Sequence, residues 1–277
     1  AAVSACALIA TRHGVASPFG LPLGLELYSV REELPKDYAG TLKKVAALGY
    51  REVEAAGFYG HSAAEVKQAM ADAGLKCVSS HHSSDDLSKK LDEIIAFHKT
   101  LGTQYIVCSY PGHKNPLAKG AEHSFSLQDW HWNAEQFNRW GKKVKAAGMR
   151  FGYHNHTPEF TVVDGVTPYD ELMKLTDPAL VTFEMDCGWV VVGGGDPVAL
   201  LKKYSNRISM LHVKDFQPGV NPPHAAQLGH GRIDYKPIFA AAKKGAIKHY
   251  FVEQEEFDIP WQEALRIDAE YLKSVNG

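Results

Sequence analysis

Four short apolar segments of the chain each end in groups that a divalent cation accepts as ligands: FGYHNH at 151–156, TFEMD at 182–186, SMLHVKD at 209–215 and HYFVEQE at 249–255. Each has the length and the β-branched and aromatic content of a strand. Residues two apart on a strand share a face, so His154 and His156, Glu184 and Asp186, His212 and Lys214, and Glu253 and Glu255 form four same-face pairs. If the four strands sit in one barrel, those ends converge. Imidazole with hard carboxylate oxygens and no thiolate suits Mn²⁺, Zn²⁺, Co²⁺ or Fe²⁺ better than Mg²⁺ or Ca²⁺. We therefore expect one divalent metal ion, Mn²⁺ or Zn²⁺ with Co²⁺ as a substitute, that leaves coordination positions for vicinal oxygens of a sugar. A cation so placed acidifies the carbon proton next to a carbonyl, which is isomerase, epimerase or dehydratase chemistry.

Each residue also has a bland reading. Asp186, in Asp-Cys-Gly, could cap the strand end; His212 could be a hydrogen-bonded core residue, and Lys214 and Asp215 a surface pair. Glu253 follows Tyr-Phe-Val, where a buried carboxylate is costly unless it is paired or coordinated. The combination at successive strand ends, with two imidazoles in HNH one strand earlier, carries the metal reading.

The elements that must position these groups follow from the pattern. From residue 24, short apolar runs alternate with longer helical patterns eight times, the rhythm of a parallel sheet. Strands are expected at 24–29, 51–55, 76–80, 105–109, 150–154, 181–185, 208–213 and 248–253. Helices are expected near 37–48, 62–73, 85–101, 126–147, 168–175, 196–204, 235–244 and 261–274. ALGY, DAGL, TLGT, AAGM and KKGA each put a Gly before the next strand, where a left-handed helix cap needs no Cβ. An open doubly wound sheet would carry a glycine-rich phosphate turn after its first strand, but here YSVREELP follows. VGGGDP at 192–197 lacks the phosphate-binding patterns and reads as a loop. The expected fold is α/β, a single (β/α)8 TIM barrel, with its site at the C-terminal strand ends.

At 277 residues and a formal charge of −2, the chain fits one barrel domain and has no basic footprint for nucleic acid. No apolar run reaches the roughly 18 residues of a membrane span. Cys6, Cys77, Cys108 and Cys187 show no CxxC spacing and do not fix a compartment. The Ala-rich residues 1–10 read either as the remnant of an export leader, with VSAC like a lipoprotein processing box around Cys6, or as a small-residue arm. This divides the chain into an arm or leader remnant at 1–20 and a catalytic barrel at 21–277, cytoplasmic or exported accordingly.

HNH on the fifth strand, Asp-x-Gly-x at 186–189, HVKD at 212–215 and VEQE at 252–255 resemble the xylose isomerase-like TIM-barrel superfamily over residues 24–275. That group holds sugar isomerases and epimerases, inosose isomerases and dehydratases, dehydroshikimate dehydratases and endonuclease IV. The resemblance implies a metal held by Glu, Asp, His and Glu from strands five to eight, of which Asp186, His212 and Glu253 take three places. On strand five this chain has His154 in YHNHTPEF, as inosose-dehydratase-like members do. One of the two carboxylates that exchange a proton in the epimerases is then missing. Glu159 or His156 must supply the second acid-base group, or Glu159 is itself the ligand, or the reaction is an elimination.

The expected metal ligands are thus His154, Asp186, His212 and Glu253, with Glu253, Glu159, His156 and Lys214 in the chemistry. The substrate contacts expected are His82, beside His81, together with Trp189, Arg232 and Glu54. The leading function is a metal-dependent isomerase or epimerase of a sugar or cyclitol, with a lyase on an inosose or 3-oxo-glycoside beside it. A non-catalytic sugar-binding barrel is the reading from another class, and an endonuclease IV-like enzyme is disfavoured by the charge. Identical chains could assemble into an oligomer.

Overall fold

Apolar runs too short to cover themselves pair with one another, and in the computed structural model, which describes residues 17–115 and 124–275, eight of them close into a parallel barrel. The barrel strands are β1 (Gly24–Glu26), β2 (Glu52–Ala55), β3 (Lys76–His82), β4 (Tyr105–Cys108), β5 (Arg150–His154), β6 (Val181–Asp186), β7 (Ile208–Val213) and β10 (His249–Val252). β10 returns to pair with β1. Between them run α1 (Tyr38–Ala47), α2 (Ala63–Ala73), α3 (Ser84–Leu101), α4 (Leu127–Ala146), α5 (Pro168–Leu175), α6 (Cys187–Val192), α7 (Pro197–Lys203) and α8 (Tyr235–Ala242), with α9 (Trp261–Ser274) last. Ser62, Ser83 and Ser126 cap α2, α3 and α4, each side chain accepting a backbone N–H of the first turn. No described helix is long and apolar enough to cross a membrane.

The single expected barrel is what forms, with four local differences. β1 stops at Glu26, because the Glu26 carboxylate accepts the Tyr28 N–H and starts a 3₁₀ turn over Leu27–Val30. Asp186 caps α6, a helix hidden in the sequence because Trp-Val-Val-Val reads as strand or loop. After β7 the chain makes a two-residue ladder, β8 (Asp215–Phe216) with antiparallel β9 (Ala225–Ala226). Of the five Gly joints, Gly49, Gly74, Gly102 and Gly148 have positive φ. Gly245 does not, and serves a close approach instead: a Cβ there would stand 3.0 Å from the Ser205 carbonyl oxygen. The arm expected at 1–20, with Cys6, lies up to residue 16 outside the described residues.

The register of two ladders decides which residues face the axis. On β3 the pairing runs Val53 with Cys77 and then Glu54 with Ser79, so Val78 is an extra residue. On β7 it runs Phe183 with Ile208 and then Glu184 with Met210, so Ser209 is extra. Each bulge reverses the in-out alternation beyond it. Val78 and Met210 pack with Tyr105, Val107 and Phe251 in a small apolar cluster of their own, and past the bulges His81, His212 and Lys214 point inward.

Candidate metal centre at the barrel mouth

The tip of β5 clamps the tip of β6. Asn155 Nδ2 donates to the Asp186 carbonyl at 3.3 Å, and its Oδ1 accepts the Asp186 N–H at 3.1 Å. Asp186 Oδ1 accepts the Trp189 N–H at 2.7 Å, whereas Oδ2 is buried with no hydrogen-bond partner. That oxygen lies 4.0 Å from His154 Nε2 and 3.9 Å from His212 Nδ1. Glu253 Oε2 is 3.0 Å from the same His212 nitrogen. His154, Asp186, His212 and Glu253 thus each offer a donor atom within 4.8 Å of the others, and all four are buried. These are the four expected ligands.

A second layer lies behind them. Glu54 Oε2 is 2.6 Å from His212 Nε2, and Glu184 Oε2 is 3.1 Å from His154 Nδ1 and 2.8 Å from His81 Nε2. Glu26 is also fully buried, and two further donor groups of the same compactness, one with Glu26, Glu54, His81 and His212, the other with His81, His154, Glu184 and His212, overlap the first. Sequence reasoning set Glu184 on the face of Asp186 without giving it a role, and did not single out Glu26. The signal for Glu26 was present, a carboxylate inside the apolar run Gly-Leu-Glu-Leu.

Five carboxylates, Glu26, Glu54, Glu184, Asp186 and Glu253, are therefore buried in these two layers, and the buried ammonium of Lys214 stands beside Asp186 and Glu253. Burial pushes the Asp186 carboxyl up to about 6 against the pull of Lys214. Burial, then Glu54, also holds Glu26 well above the usual range. At Glu253 burial is outweighed by Lys214 and His212, which keep it ionised. Burial, then His212, holds His154 neutral, and burial, then Lys214, takes His156 down to about 3. Lys214 is kept charged despite burial by Glu253, Asp186 and Glu255; its Nζ is 2.9 Å from Glu253 Oε2. An unpartnered carboxylate oxygen, an ionised carboxylate and two imidazoles make a donor set that fits a divalent cation.

Above the four donors opens a cleft of about 520 Å³ lined by Tyr28, Phe58, His82, Tyr110, His154, His156, Glu253 and Glu255, among others. His82 reaches it, with its Nε2 2.8 Å from the Nε2 of buried His98. Tyr28 and Tyr110 are exposed aromatics just past β1 and β4, and sequence reasoning did not single them out. Three expected contacts sit elsewhere. Glu54 faces His212 from below. Trp189 lies under Lys214, with Nζ 4.7 Å from its ring centroid, and against Phe216. Arg232 is not among the residues that line the cleft. Glu159 is fully buried, accepts the Tyr153 hydroxyl and the His156 N–H, and burial takes its carboxyl up to about 7. It is not in any of the three donor groups.

A closed parallel barrel with histidines and carboxylates converging at its C-terminal strand ends defines a protein of the TIM-barrel enzyme class. More narrowly, the chain belongs to the xylose isomerase-like TIM-barrel family, whose model matches residues 42–275. It is similar to the inosose dehydratase of Clostridium beijerinckii, 28% identical over 268 residues, 85% of this chain and 89% of that one. Two crystal structures of sugar phosphate isomerase/epimerases from Parabacteroides distasonis ATCC 8503 share the fold. One is 30% identical with a TM-score of 0.76, covering 90% of this chain and 96% of that one. The other is 28% identical with a TM-score of 0.75, covering 92% and 96%.

Proposed function

We propose that the chain removes a proton next to the carbonyl of a polyhydroxylated ring with the help of one divalent cation, and that loss of water from an inosose-like substrate is the outcome. The observation that carries this is that Glu253, among the described carboxylates lining the cleft, is the one that also belongs to the four convergent donors, while Glu255 is paired with Lys214 and Asp86 with Ser83 and Lys90. Two-face epimerisation needs a second base on the cleft, and Glu159, the nearest candidate from strand five, is turned to Tyr153 and His156 instead.

His154, Asp186, His212 and Glu253 would hold the cation, with Mn²⁺ or Zn²⁺ best matched to the donors. When bound, it supplies Lewis-acid stabilisation of negative charge developing on the carbonyl oxygen. The Glu253 oxygen not shared with His212 and Lys214 takes the carbon proton. Lys214, fixed between Glu253 and Glu255, adds positive charge beside it. His156 lines the cleft as a neutral imidazole and donates an N–H to the departing hydroxyl rather than acting as an imidazolium. Glu253 then returns its proton to that oxygen. One C–H and one C–O bond break, one C=C bond forms, and water leaves.

The inosose dehydratase relatives favour elimination, while the Parabacteroides structures support isomerisation or epimerisation as a second reading. An inosose and a panel of ketoses incubated in heavy water with Mn²⁺ or Zn²⁺ separates the two by NMR. Elimination gives a product lacking one hydroxyl-bearing ring carbon, absent with chelator and in Glu253→Gln. Deuterium incorporation without water loss would establish isomerisation or epimerisation. Saturable sugar binding that ignores chelator, with no exchange, would leave a non-catalytic barrel.

A further inference from the structure

His154 and His212 each stand between two layers of carboxylates, which makes the state of their ring nitrogens a structural question. Below them, Glu184 Oε2 is 3.1 Å from His154 Nδ1 and Glu54 Oε2 is 2.6 Å from His212 Nε2. Above them, His154 Nε2 and His212 Nδ1 face the unpartnered oxygen of Asp186 at 4.0 and 3.9 Å. A carboxylate only accepts, so His154 Nδ1, against Glu184, carries the hydrogen and His154 Nε2 is left with a free lone pair. His212 meets Glu54 at Nε2 and Glu253 Oε2 at Nδ1, 3.0 Å away, and of its two nitrogens Nδ1 is the one on the side of Asp186 and Glu253. Glu54 and Glu184 are both fully buried and do not line the cleft, whereas His81, His154 and Glu253 do.

The two bulges are a second, independent observation. The extra Val78 turns His81, rather than His82, toward the lower layer, where its Nε2 lies 2.8 Å from Glu184 and 3.3 Å from Glu54. The extra Ser209 sets His212 level with Asp186. Bulges of this kind re-aim side chains.

We infer that Glu184 and Glu54 are positioning residues that fix the tautomers of His154 and His212, so that the cation is bound through His154 Nε2 and His212 Nδ1, and that His81 steadies the carboxylates without ligating. This rests on the metal reading above and deepens it. Carboxylates hydrogen-bonded to a ligating histidine commonly account for 10- to 100-fold in metal affinity.

The test is Co²⁺-loaded protein by paramagnetic proton NMR, with Mn²⁺ and Zn²⁺ affinities by calorimetry for wild type, Glu184→Gln and Glu54→Gln. In wild type two exchangeable contact-shifted ring N–H signals are expected, from His154 Hδ1 and His212 Hε2, and none from His81. Each variant should bind the metal about 10- to 100-fold more weakly and lose its own partner's signal. The NMR pattern needs no variant, so a substitution that failed to fold would leave the test intact. A contact-shifted His81, or the opposite nitrogens on His154 and His212, would overturn the inference, as would unchanged affinity in folded variants. If wild type bound no metal at all, the metal reading itself would fall.

Discussion

At the two ends of the barrel β2 makes the same carboxylate–imidazole pair, with β10 at one end and β7 at the other, and the protein obtains different things from it. At the floor, β2 and β10 bring Glu52 Oε2 within 2.7 Å of His249 Nδ1. Near the mouth, β2 brings Glu54 within 2.6 Å of His212, while the end of β10 supplies Glu253 on the other side of that ring. The floor pair is closed: one donor meets one acceptor. At the mouth each imidazole is shared between layers, and Glu54, Glu184 and Asp186 all keep a buried oxygen without a partner. A histidine beside a carboxylate is thus only structure; a surplus of unpartnered carboxylate oxygens around it is what suits a cation.

The largest expected contrast is in turnover. Glu253→Gln should lower the rate of proton abstraction by about 10²–10⁴-fold, the usual contribution of a positioned base. His249→Gln at the floor should change it less than about twofold, within what a stability change of about 1 kcal/mol allows in a folded protein. Steady-state assays with equal amounts of folded protein would check both, and a large loss in His249→Gln would erase the distinction.

Next comes stability toward metal. At Mn²⁺ or Zn²⁺ a hundredfold above its dissociation constant, the cation should stabilise the wild type by ~2.7 kcal/mol. Melting curves with and without chelator should then differ by several degrees in wild type and His249→Gln, and coincide in Asp186→Ala.

The smallest effect concerns a third buried carboxylate. Asp268 on α9 also has an oxygen without a partner, and its other oxygen accepts the Leu228 N–H at 2.7 Å. Burial raises its carboxyl to about 7 in the folded protein, against about 4 in an unfolded chain. The folded state therefore holds this proton more tightly than the unfolded one. Its stabilising contribution is complete below about pH 4 and is lost as pH rises through 7. Asp268→Asn should flatten the dependence of melting temperature on pH between 4 and 7, and leave metal binding unchanged. Unaltered slope in the variant would assign that pH dependence elsewhere.

Much of this molecule is readable from its chain. The alternation of short apolar runs with Gly-capped helices foretells the barrel, and polar residues closing apolar runs foretell the convergence of His154, Asp186, His212 and Glu253. Local pattern does not show α6, because Cys-Gly-Trp-Val-Val-Val is too short and too rich in β-branched residues to carry a helical period, nor the β8–β9 ladder, in which β9 is two alanines. The lower carboxylate layer escaped for another reason. Glu54 was legible as a strand-end polar group, but whether it faces substrate or sits beneath a histidine depends on how far β2 reaches relative to β7, a tertiary quantity. The choice between His81 and His82 likewise turns on Val78, since strict alternation from the start of β3 points His82 inward.

The extra residue on β7 has a consequence for the mutational neighbourhood of this protein. Loss of Ser209 would leave Ile208 against Phe183 and Met210 against Glu184 as an unbroken ladder, with every face beyond it unchanged. Loss of Leu211, one residue past that point, would instead bring Val213 to face the axis and turn His212 and Lys214 toward the helices. The chain thus lies a single codon deletion from a sequence of nearly the same composition in which the polarity of one whole strand is inverted at the mouth. Point substitution explores this site one group at a time; insertion and deletion act on it as a switch.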